Sequence, residues 1–384
     1  MKDRQEKNNK KPIKVCHLIT DSGTGGAEKI LFELVTRLDP DRFQTRVIVM
    51  KKPGATAEEI EAAGVPVSSL QLPYRVNLIY GLRLVPAFAR LVAELRRDRP
   101  DILHCWLFQA NLAGRIAARL AGVPADTSSL RVVEEERLLQ YPLDRLTGFL
   151  VTRYVAVAGA VADHYMKRLK IPARKISTIP NGVEAGRRES GQRNALKERL
   201  SLPEGAFVIG AAGRLHKQKG TDILIQAMHK VRQTCPEAML LIAGEGPERD
   251  ALEEAARSLP DGVIRFTGNV RQMEEFYELL DVFALPSRWE GMPNALLEAM
   301  AAGVPAVAAR TGGVPEIIGE EEAGIMVPPG SPEALADAVI CLLKSSGQRE
   351  KMKMNAIKRS GLFSLDKMTE SYESLYEELL KGRP

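Results

Sequence analysis

Two cationic side chains, Arg214 and Lys219, stand in a short loop where they could act on an anion. The loop follows an apolar run and precedes an amphipathic segment, so both cations lie at the carboxyl end of a predicted strand. Burying cations there is costly unless an anion meets them. A guanidinium can bind two phosphate oxygens at once, whereas an ammonium acts as a mobile point charge. Residues 213–220 therefore predict a diphosphate site, although the Walker pattern G-x-x-x-x-G-K-[ST] is absent.

Glu290 and Glu298 form a pair of carboxylates on either side of a predicted helix start. Pro293 suits the first turn of this helix, whose interior consists of strong helix formers and which ends at Gly303. At 100° per residue, eight positions exceed two full turns by about 80°, so the carboxylates do not stack on one stripe. Both can face one elongated ligand and accept hydrogen bonds from its hydroxyls. The alternative for Glu298 is an ordinary exposed helix glutamate.

A third candidate is the glycine-rich turn at residues 21–28, which opens a predicted helix. Backbone amides at such a helix start can bind phosphate, and glycine allows a ligand to approach closely. The turn is not a dinucleotide fingerprint, because G-x-G-x-x-G would need glycine where Glu28 stands. The alternative is a tight strand-to-helix turn with no ligand.

The elements that position these residues alternate between short apolar, β-branched runs and amphipathic helix-length segments. This alternation is typical of βαβ units and parallel sheets. A turn-rich, charged stretch after residue 179 separates two such series, so we predict two domains. Ligands of open α/β sheets bind beyond the carboxyl ends of the strands, so we expect the site in a cleft between two facing sheets. Predicted strands lie at residues 13–20, 45–50, 65–70, 101–107, 126–133, 154–158 and 175–179, then at 207–213, 238–243, 264–268, 282–285, 305–309 and 324–327.

Length and composition exclude several classes of protein. A chain of 384 residues predicts two to three domains at about 150 residues each, and 45% hydrophobic with 27% charged residues is ordinary globular composition. No uncharged run approaches the roughly 18 residues of a membrane span. Residues 1–12 are polar and basic, which predicts a disordered tail and not a secretory signal. The four cysteines lie far apart without metal-ligand spacing, which favours a reducing cytoplasm and predicts no metal site.

The formal net charge of +5 is the sum of +10 in residues 1–183 and −5 in the remainder, so the leading half of the chain is basic. Such a half can favour nucleic acid, an anionic membrane surface or a phosphorylated substrate. Nucleic acid is the least favoured, since no recognised module surrounds the basic residues. Residues 80–99 mix apolar side chains with five arginines and are interrupted by Pro86. They predict either a peripheral membrane helix, which would favour a lipid-linked acceptor or envelope polysaccharide precursor, or a helix packed on the sheet with a solvated basic face.

Six motifs in order resemble glycosyltransferase family 4: GGAE at 25–28, IPNGVE at 179–184, GRLHKQKG at 213–220, LIAGEGPER at 241–249, the E-x7-E pair Glu290 and Glu298, and AMAAGVPAVA at 299–308. The resemblance spans about residues 13–380. It implies the α/β GT-B fold, with two facing Rossmann-like parallel-sheet domains and a cleft between them. Residues 13–183 would then bind the acceptor, residues 184–362 would bind the nucleotide sugar, and residues 363–384 would form a helix that crosses back to the first domain.

The resemblance also implies roles for single residues. Arg214, Lys219 and Glu290 would be catalytic, with the two cations on the donor diphosphate and Glu290 on the donor sugar. Glu298 would bind the ribose, residues 268–270 would border the base, and Gly25 and Gly26 would let the first domain close on the donor. Family members transfer a sugar from a UDP- or GDP-sugar with retention, and require no cofactor and no metal. The residues implied to bind the donor are Gly25, Gly26, Gly213, Gly268, Asn269, Val270, Gly291, Met292, Asn294, Ala295 and Glu298.

The sequence departs from the family pattern at two places. After Gly291 many relatives have a small apolar residue and a glycine whose amide can reach the donor, but Pro293 has no N–H to offer. Many relatives also carry a histidine after the strand that in the family pattern would run from residue 126 to 130, where this chain has Arg131, a candidate for an acceptor or leaving phosphate. His104, at another strand end, is a second acceptor candidate, and its alternative is a histidine satisfied inside the core.

Two other classes of protein share these features. A nucleotide-sugar epimerase would use the same two-domain architecture and diphosphate cations, but it would convert donor without an acceptor. A non-catalytic nucleotide-sugar-binding protein would keep Glu298 and Lys219 and show binding without turnover.

Overall fold

The computed structural model describes residues 11–73, 78–133, 140–184, 193–320 and 322–381, and it leaves the side chains of residues 78–82 undescribed. Ten of the twelve residues predicted as a basic tail lie outside these ranges. The chain forms two compact units, of which the first is Met1–Pro180 with Asp366–Pro384 and the second is Asn181–Leu365. Each unit contains one parallel sheet, as the alternating pattern predicts.

The first unit contains a seven-stranded sheet in the order β3-β2-β1-β4-β5-β6-β7, with every neighbouring pair parallel. Its central strands are buried along most of their length, because helices cover both faces of such a sheet. The strands are β1 (Ile13–Ile19), β2 (Phe43–Lys51), β3 (Val67–Leu72), β4 (Ile102–Trp106), β5 (Ala125–Leu130), β6 (Arg153–Ala156) and β7 (Ile176–Thr178). The helices between them are α1 (Gly26–Arg37), α2 (Ala55–Ala62), α3 (Leu78–Asp98), α4 (Phe108–Ala121), α5 (Gln140–Thr147) and α6 (Gly159–Leu169).

The second unit contains a six-stranded parallel sheet in the order β10-β9-β8-β11-β12-β13. Its strands are β8 (Phe207–Ala212), β9 (Ala238–Ala243), β10 (Ile264–Gly268), β11 (Val282–Leu285), β12 (Ala306–Ala309) and β13 (Ile325–Val327). Its helices are α7 (Arg193–Arg199), α8 (Thr221–Thr234), α9 (Arg249–Ala256), α10 (Met273–Leu279), α11 (Asn294–Ala301), α12 (Val314–Ile318), α13 (Pro332–Lys344) and α14 (Ser346–Ser360).

A final helix, α15 (Leu365–Leu380), follows the second unit in the chain and packs on the first. Glu373 accepts a hydrogen bond from the backbone amide of Asp39 at 3.1 Å and forms an ion pair with Arg42. Tyr372 and Tyr376 are fully buried against the first sheet. The helix therefore completes the first unit, which would otherwise expose this face of its sheet.

Three local expectations differ from the structure. α3 continues through Pro86, which lies on its exposed side, where water can solvate the carbonyl that proline leaves unpaired. The strand predicted at residues 126–133 ends at Leu130, so Arg131 follows it. Pro293 is the N-cap of α11, with φ −74° and ψ 110°, and not part of its first turn. No helix in the described ranges is long and apolar enough to cross a bilayer.

The face of the first sheet under α15 carries two neighbouring histidines, His17 and His104, with ring centroids 5.4 Å apart and planes tilted by 39°. Their register pairs them on neighbouring strands, and both are fully buried. Burial lowers the pKa of His17 to about 3. The pKa of His104 is also lowered, first by burial and then by its electrostatic interactions with His17 and Arg131. Both rings are therefore neutral in the folded protein over a pH range in which the unfolded chain binds protons, because an unfolded histidine titrates near 6.5.

The two buried histidines are expected to lower the stability of the first unit as the pH falls from 6.5 towards 3. In this range the unfolded chain binds protons that the folded chain does not bind. The free energy of unfolding therefore falls by up to about 1.4 kcal/mol per pH unit for each such histidine. Burial raises the pKa of Asp126 and Asp144, and these carboxyls act in the opposite direction, so the test is a difference between variants. In a Trp289→Phe background, which leaves Trp106 as the fluorescent tryptophan, urea unfolding should be less pH-dependent in His17→Gln than with His17 in place, whereas His229→Gln, at an exposed position, should have no effect. Equal pH slopes with and without His17→Gln would contradict the assignment.

Candidate active site

In the second unit, the loops after β8 and β11 meet at the point where the strand order reverses. β8 is the first strand of this sheet. The next strands, β9 and β10, lie on one side of it, and β11, β12 and β13 lie on the other. Such a switch point opens a crevice beyond the carboxyl ends of the two strands, where ligands bind in open α/β sheets. Arg214 and Lys219 follow β8, and Glu290 follows β11, so all three line this crevice.

Lys219 and Glu290 contact each other directly across the crevice. The Lys219 Nζ atom lies 2.6 Å from the Glu290 Oε1 atom, and the hydroxyl of Ser287 donates to the same oxygen at 2.7 Å. Glu290 is only 4% exposed, and a carboxylate so buried needs a counter-charge. An ammonium has three N–H donors, so Lys219 can hold Glu290 with one and direct the others at a phosphate oxygen. The pair couples the predicted diphosphate group to the predicted sugar-binding group.

Gly220 allows the loops after β8 and β11 to approach each other, and Gly213 lies against the side chain of Lys219. Gly220 has φ +63°, and a Cβ atom on it would lie 2.2 Å from the carbonyl oxygen of Pro286. Gly213 has φ +150°, and a Cβ atom there would lie 3.4 Å from Cε of Lys219. Gln218 donates from Nε2 to the carbonyl of Trp289 at 3.0 Å, which fastens the two loops further. The position of Lys219 is therefore set by backbone packing as well as by its charge.

Arg214 and Arg288 have opposite surroundings although both follow strands of the same sheet. Arg288 donates two hydrogen bonds to the carboxylate of Asp222, at 2.8 and 2.6 Å, and its guanidinium is committed to that pair. Arg214 is exposed, and its side chain has no hydrogen-bond, ionic or ring partner in the described part of the chain. Arg214 is thus available for a ligand, whereas Arg288 has a structural role.

The segment after Glu290 is supported by Asn181, the asparagine of the IPNGVE motif. Its Nδ2 atom donates to the carbonyl of Met292 at 3.0 Å and to Oδ1 of Asn294 at 2.7 Å, and Asn181 is 3% exposed. On the other side, the amide of Gly313 donates to the carbonyl of Gly291 at 2.7 Å. These contacts fix the backbone between Glu290 and the start of α11, where Ala295 is half-buried in the first turn.

Glu298 is half-buried on α11 and is held by a buried tyrosine. The hydroxyl of Tyr277 donates to Glu298 Oε2 at 2.8 Å, and burial, together with the charge of Glu298, raises the pKa of Tyr277 well above its usual value. The side chain is therefore oriented, unlike that of an ordinary exposed helix glutamate. A carboxylate oriented in this way can accept hydrogen bonds from the hydroxyl groups of a ligand.

The loop after β10, predicted to border the base, begins at Gly268 with φ +68°. The amide of Gly244 donates to the carbonyl of Gly268 at 2.7 Å, which joins the ends of β9 and β10. Asn269 is exposed and Val270 is half-buried. Contact of these residues with a base stays a prediction.

In the first unit, Gly25 is the N-cap of α1 and Gly26 is its first residue, and both are exposed. A Cβ atom on Gly25 would lie 2.2 Å from Oε2 of Glu28, because the buried glutamate folds back over the turn. The turn is anchored by Ser22, whose Oγ accepts the amide of Gly54 at 2.9 Å, and by an ion pair between Asp21 and Lys51 at 3.1 Å. The anchored turn exposes Gly25 and Gly26. Contact of these two glycines with a donor stays a prediction.

The structure does not support His104 as an acceptor residue. The side chain is fully buried, with Nδ1 2.7 Å from the Tyr376 hydroxyl and Nε2 2.8 Å from Oγ of Ser129. Its alternative, a histidine satisfied inside the core, is what the structure contains. Arg131 is half-buried with its guanidinium 5.2 Å from the ring centroid of Trp106, and burial lowers its pKa. Its role towards an acceptor phosphate stays a prediction.

The arginines of α3 are mostly engaged within the first unit. Arg90 pairs with Glu94, Arg96 donates to the carbonyl of Leu120, and Arg97 pairs with Asp98. The opposite side of the helix packs on the sheet through a group of apolar residues, namely Ala87, Leu91, Val92 and Leu95. This is the arrangement of a helix packed on the sheet with a basic outer face.

Three supporting residues were not singled out from the sequence. Asn181 lies within the IPNGVE motif, which carries part of the family resemblance, but the motif did not indicate what this residue does. Ser287 and Tyr277 had no signal, because a serine after a strand and a tyrosine in a helix are common in any α/β protein.

Comparison with known families gives two matches that together span most of the chain. The model described as Glycosyltransferase Family 4 matches residues 24–187. The model described as Glycosyl transferases group 1 matches residues 206–345, which include Arg214, Lys219, Glu290 and Glu298.

Individual proteins are similar over most of their length. The GDP-mannose-dependent alpha-(1-6)-phosphatidylinositol monomannoside mannosyltransferase of Mycobacterium tuberculosis is 30% identical over 339 residues, covering 83% of this chain and 86% of that protein. The UDP-Gal:alpha-D-GlcNAc-diphosphoundecaprenol alpha-1,3-galactosyltransferase of Escherichia coli is 25% identical over 342 residues, covering 85% and 87%. The crystal structure of Anabaena HepE in complex with UDP-glucose has a TM-score of 0.83 at 21% identity, covering 95% of this chain and all of that one.

Proposed function

The chain belongs to glycosyltransferase family 4, with the GT-B fold, and we propose that it transfers a hexose from UDP- or GDP-sugar to an acceptor hydroxyl with retention. The observation that carries this proposal is the cluster at the switch point of the second sheet. There Arg214, whose side chain has no partner among the described residues, stands five residues before Lys219, which holds the buried Glu290 at 2.6 Å. This set combines phosphate-binding cations with a carboxylate that can accept sugar hydroxyls.

The acceptor we propose is a glycan or a lipid-linked precursor of an envelope or exopolysaccharide. Support comes from the names of the relatives, one of which acts on a phosphatidylinositol mannoside and another on a diphosphoundecaprenol-linked sugar. A further relative, from Rhizobium meliloti, is named a lipopolysaccharide core biosynthesis glycosyltransferase. These names also support both UDP- and GDP-sugars as donor classes.

In the proposed reaction, the bond between sugar C1 and the diphosphate breaks, and the departing phosphate keeps the electron pair. The acceptor hydroxyl attacks C1 from the same face and its proton passes to the leaving phosphate. Negative charge therefore grows where Arg214 and Lys219 stand, and cations placed there lower the barrier more than they tighten ground-state binding. A covalent intermediate is not part of the proposal, because Glu290 is engaged by Lys219 and Ser287 and Glu298 by Tyr277.

The proposal includes activity without a metal ion or cofactor. Arg214 and Lys219 supply the positive charge that a divalent cation would otherwise bring to the diphosphate. Activity retained in excess EDTA would agree with this part of the proposal, and activity restored only by added Mg²⁺ or Mn²⁺ would contradict it.

The function is tested by a panel of UDP-, GDP- and ADP-sugars in thermal-shift and donor-hydrolysis assays, followed by acceptor screening with the stabilising donor. Selective stabilisation by one donor and acceptor-dependent release of its nucleotide are expected, with an α-linked product from an α-linked donor. Conversion of the donor to an isomeric nucleotide sugar without acceptor would instead identify an epimerase. Donor binding without turnover on any acceptor would identify a binding protein.

We also propose that the protein works in the cytoplasm and touches an anionic membrane through the first unit. The apolar side chains of Leu143, Leu146 and Phe149 are 43%, 69% and 74% exposed and recur every three residues from α5 onward. Arg145 on α5 is exposed without a partner in the described part of the chain. Exposed apolar side chains beside cations suit the interface of an anionic bilayer.

Charge introduced into this patch is expected to weaken membrane binding. The double variant Leu146→Glu, Phe149→Glu should sediment with phosphatidylglycerol vesicles at low salt several-fold less than wild type, because both changes place carboxylates against the anionic surface. Met354→Glu, at a 60% exposed position on α14 of the second unit, is the matched control and should sediment as wild type does. Equal sedimentation of all three proteins, or none with wild type, would contradict the proposed contact.

A further inference from the structure

The arginines of the second unit fall into two groups by their surroundings. Among its described residues, every arginine has a hydrogen-bond, ionic or ring partner except Arg214, Arg271 and Arg310. These three follow the carboxyl ends of β8, β10 and β12, so all of them lie along the edge of the sheet where ligands bind. Unpaired guanidinium groups are therefore concentrated at one functional edge of this unit.

The sheet order places Arg310 away from the nucleotide. From β8, which carries Arg214, the predicted base-binding loop follows β10, two strands away in one direction. Arg310 follows β12, two strands away in the other direction. Neighbouring strands lie about 4.8 Å apart, so Arg310 starts about 10 Å from Arg214 along the edge, on the side opposite to the base.

The loop that carries Arg310 is packed against the Glu290 segment. A Cβ atom on Gly312, which has φ +50°, would lie 2.2 Å from the carbonyl oxygen of Glu290. The amide of Gly313 donates to the carbonyl of Gly291 at 2.7 Å. Arg310 thus lies two residues before a glycine that packs on the backbone of Glu290, the residue proposed to hold the donor sugar.

We propose that Arg310 binds a phosphate group carried by the acceptor, an inference that rests on the proposed function. An exposed guanidinium beside a buried carboxylate segment offers a planar fork that suits a phosphate better than a neutral sugar. The donor diphosphate already has Arg214 and Lys219, and Arg310 lies beyond them on the sugar side. The anion that meets Arg310 is therefore a second one, and a phosphorylated acceptor supplies it.

The test uses two sugar probes, D-glucose 6-phosphate and D-glucose, together with inorganic phosphate, each titrated into the full-length protein. Each titration is followed by thermal shift, with and without saturating nucleotide. Wild type should be stabilised by both phosphate probes while nucleotide is bound, and not by glucose. Arg310→Gln should bind the phosphate probes about ten- to a hundredfold more weakly, as expected for loss of a charged hydrogen bond, and Arg310→Lys should fall in between.

Arg271→Gln is the matched control, since it removes the unpaired arginine at the other side of the sheet edge. It should respond to the phosphate probes as wild type does. The inference is overturned if Arg310→Gln responds like wild type, if Arg271→Gln loses the response equally, or if nucleotide displaces the phosphate probes, which would place them on Arg214 and Lys219. Failure of the proposed function has a different signature, because wild type would then show no acceptor-dependent release of nucleotide in the donor panel, whatever its response to the phosphate probes.

Discussion

Replacing Arg214 by alanine is expected to lower kcat by about a hundred- to thousandfold, equivalent to about 2.7 to 4 kcal/mol, with no loss of stability. The guanidinium is exposed and has no protein partner in the described residues, so its removal breaks no contact within the fold. Its proposed partner is the diphosphate that gains charge in the transition state. The loss should therefore appear in turnover and not in the unfolding temperature.

The measurement is steady-state kinetics with the donor identified by the panel, alongside thermal unfolding of the same samples. Arg214→Lys should recover part of the lost turnover, because lysine keeps the charge but not the bidentate fork. Arg257→Ala, on the exposed end of the α9 segment, is the control and should leave both quantities unchanged. Wild-type kcat in Arg214→Ala would remove this residue from the proposed mechanism.

Replacing Lys219 by alanine is expected to abolish measurable turnover and also to destabilise the second unit. Glu290 is 4% exposed and would lose its counter-charge at 2.6 Å, and removing one partner of a buried pair typically costs about 3 to 5 kcal/mol. For a unit of this size each kcal/mol lowers Tm by about 2 to 4 °C, so a decrease of at least about 6 °C is expected. Lys219 itself is 23% exposed, so Glu290→Gln leaves a cation that water can solvate and should destabilise less.

The double variant Lys219→Ala, Glu290→Gln distinguishes the effect of Lys219 on stability from its effect on turnover. It contains no unpaired buried charge, and the glutamine can still accept from Ser287, so its Tm should recover most of the loss seen in Lys219→Ala. Its turnover should stay as low as that of the single variant. Additive losses of Tm in the double variant would show that the two side chains do not interact in solution. Recovery of turnover would show that neither group acts on the donor.

Much of the site was accessible from the sequence because local pattern and local chemistry agree. Arg214, Lys219 and Glu290 follow apolar runs that become β8 and β11, so their place at strand ends could be read without knowledge of the sheet. The membership in glycosyltransferase family 4, predicted from six motifs, is confirmed by the matching families and relatives. The assignment of His104 to the acceptor is not supported, because α15 buries the side chain. This burial could not be predicted locally, since α15 lies far from His104 in the sequence.

The sequence by itself determined the two series of βαβ elements, because the alternation of apolar runs and amphipathic segments is a property of neighbouring residues. It also determined which cations and carboxylates stand at strand ends. Only the tertiary structure decided that Lys219 holds Glu290, that Tyr277 orients Glu298 and that Arg310 stands beside the Glu290 segment. Each of these contacts depends on the order of strands in a sheet and on loops that glycines allow to touch. Sheet order is set by the packing of all the elements at once, and no local stretch of sequence encodes it.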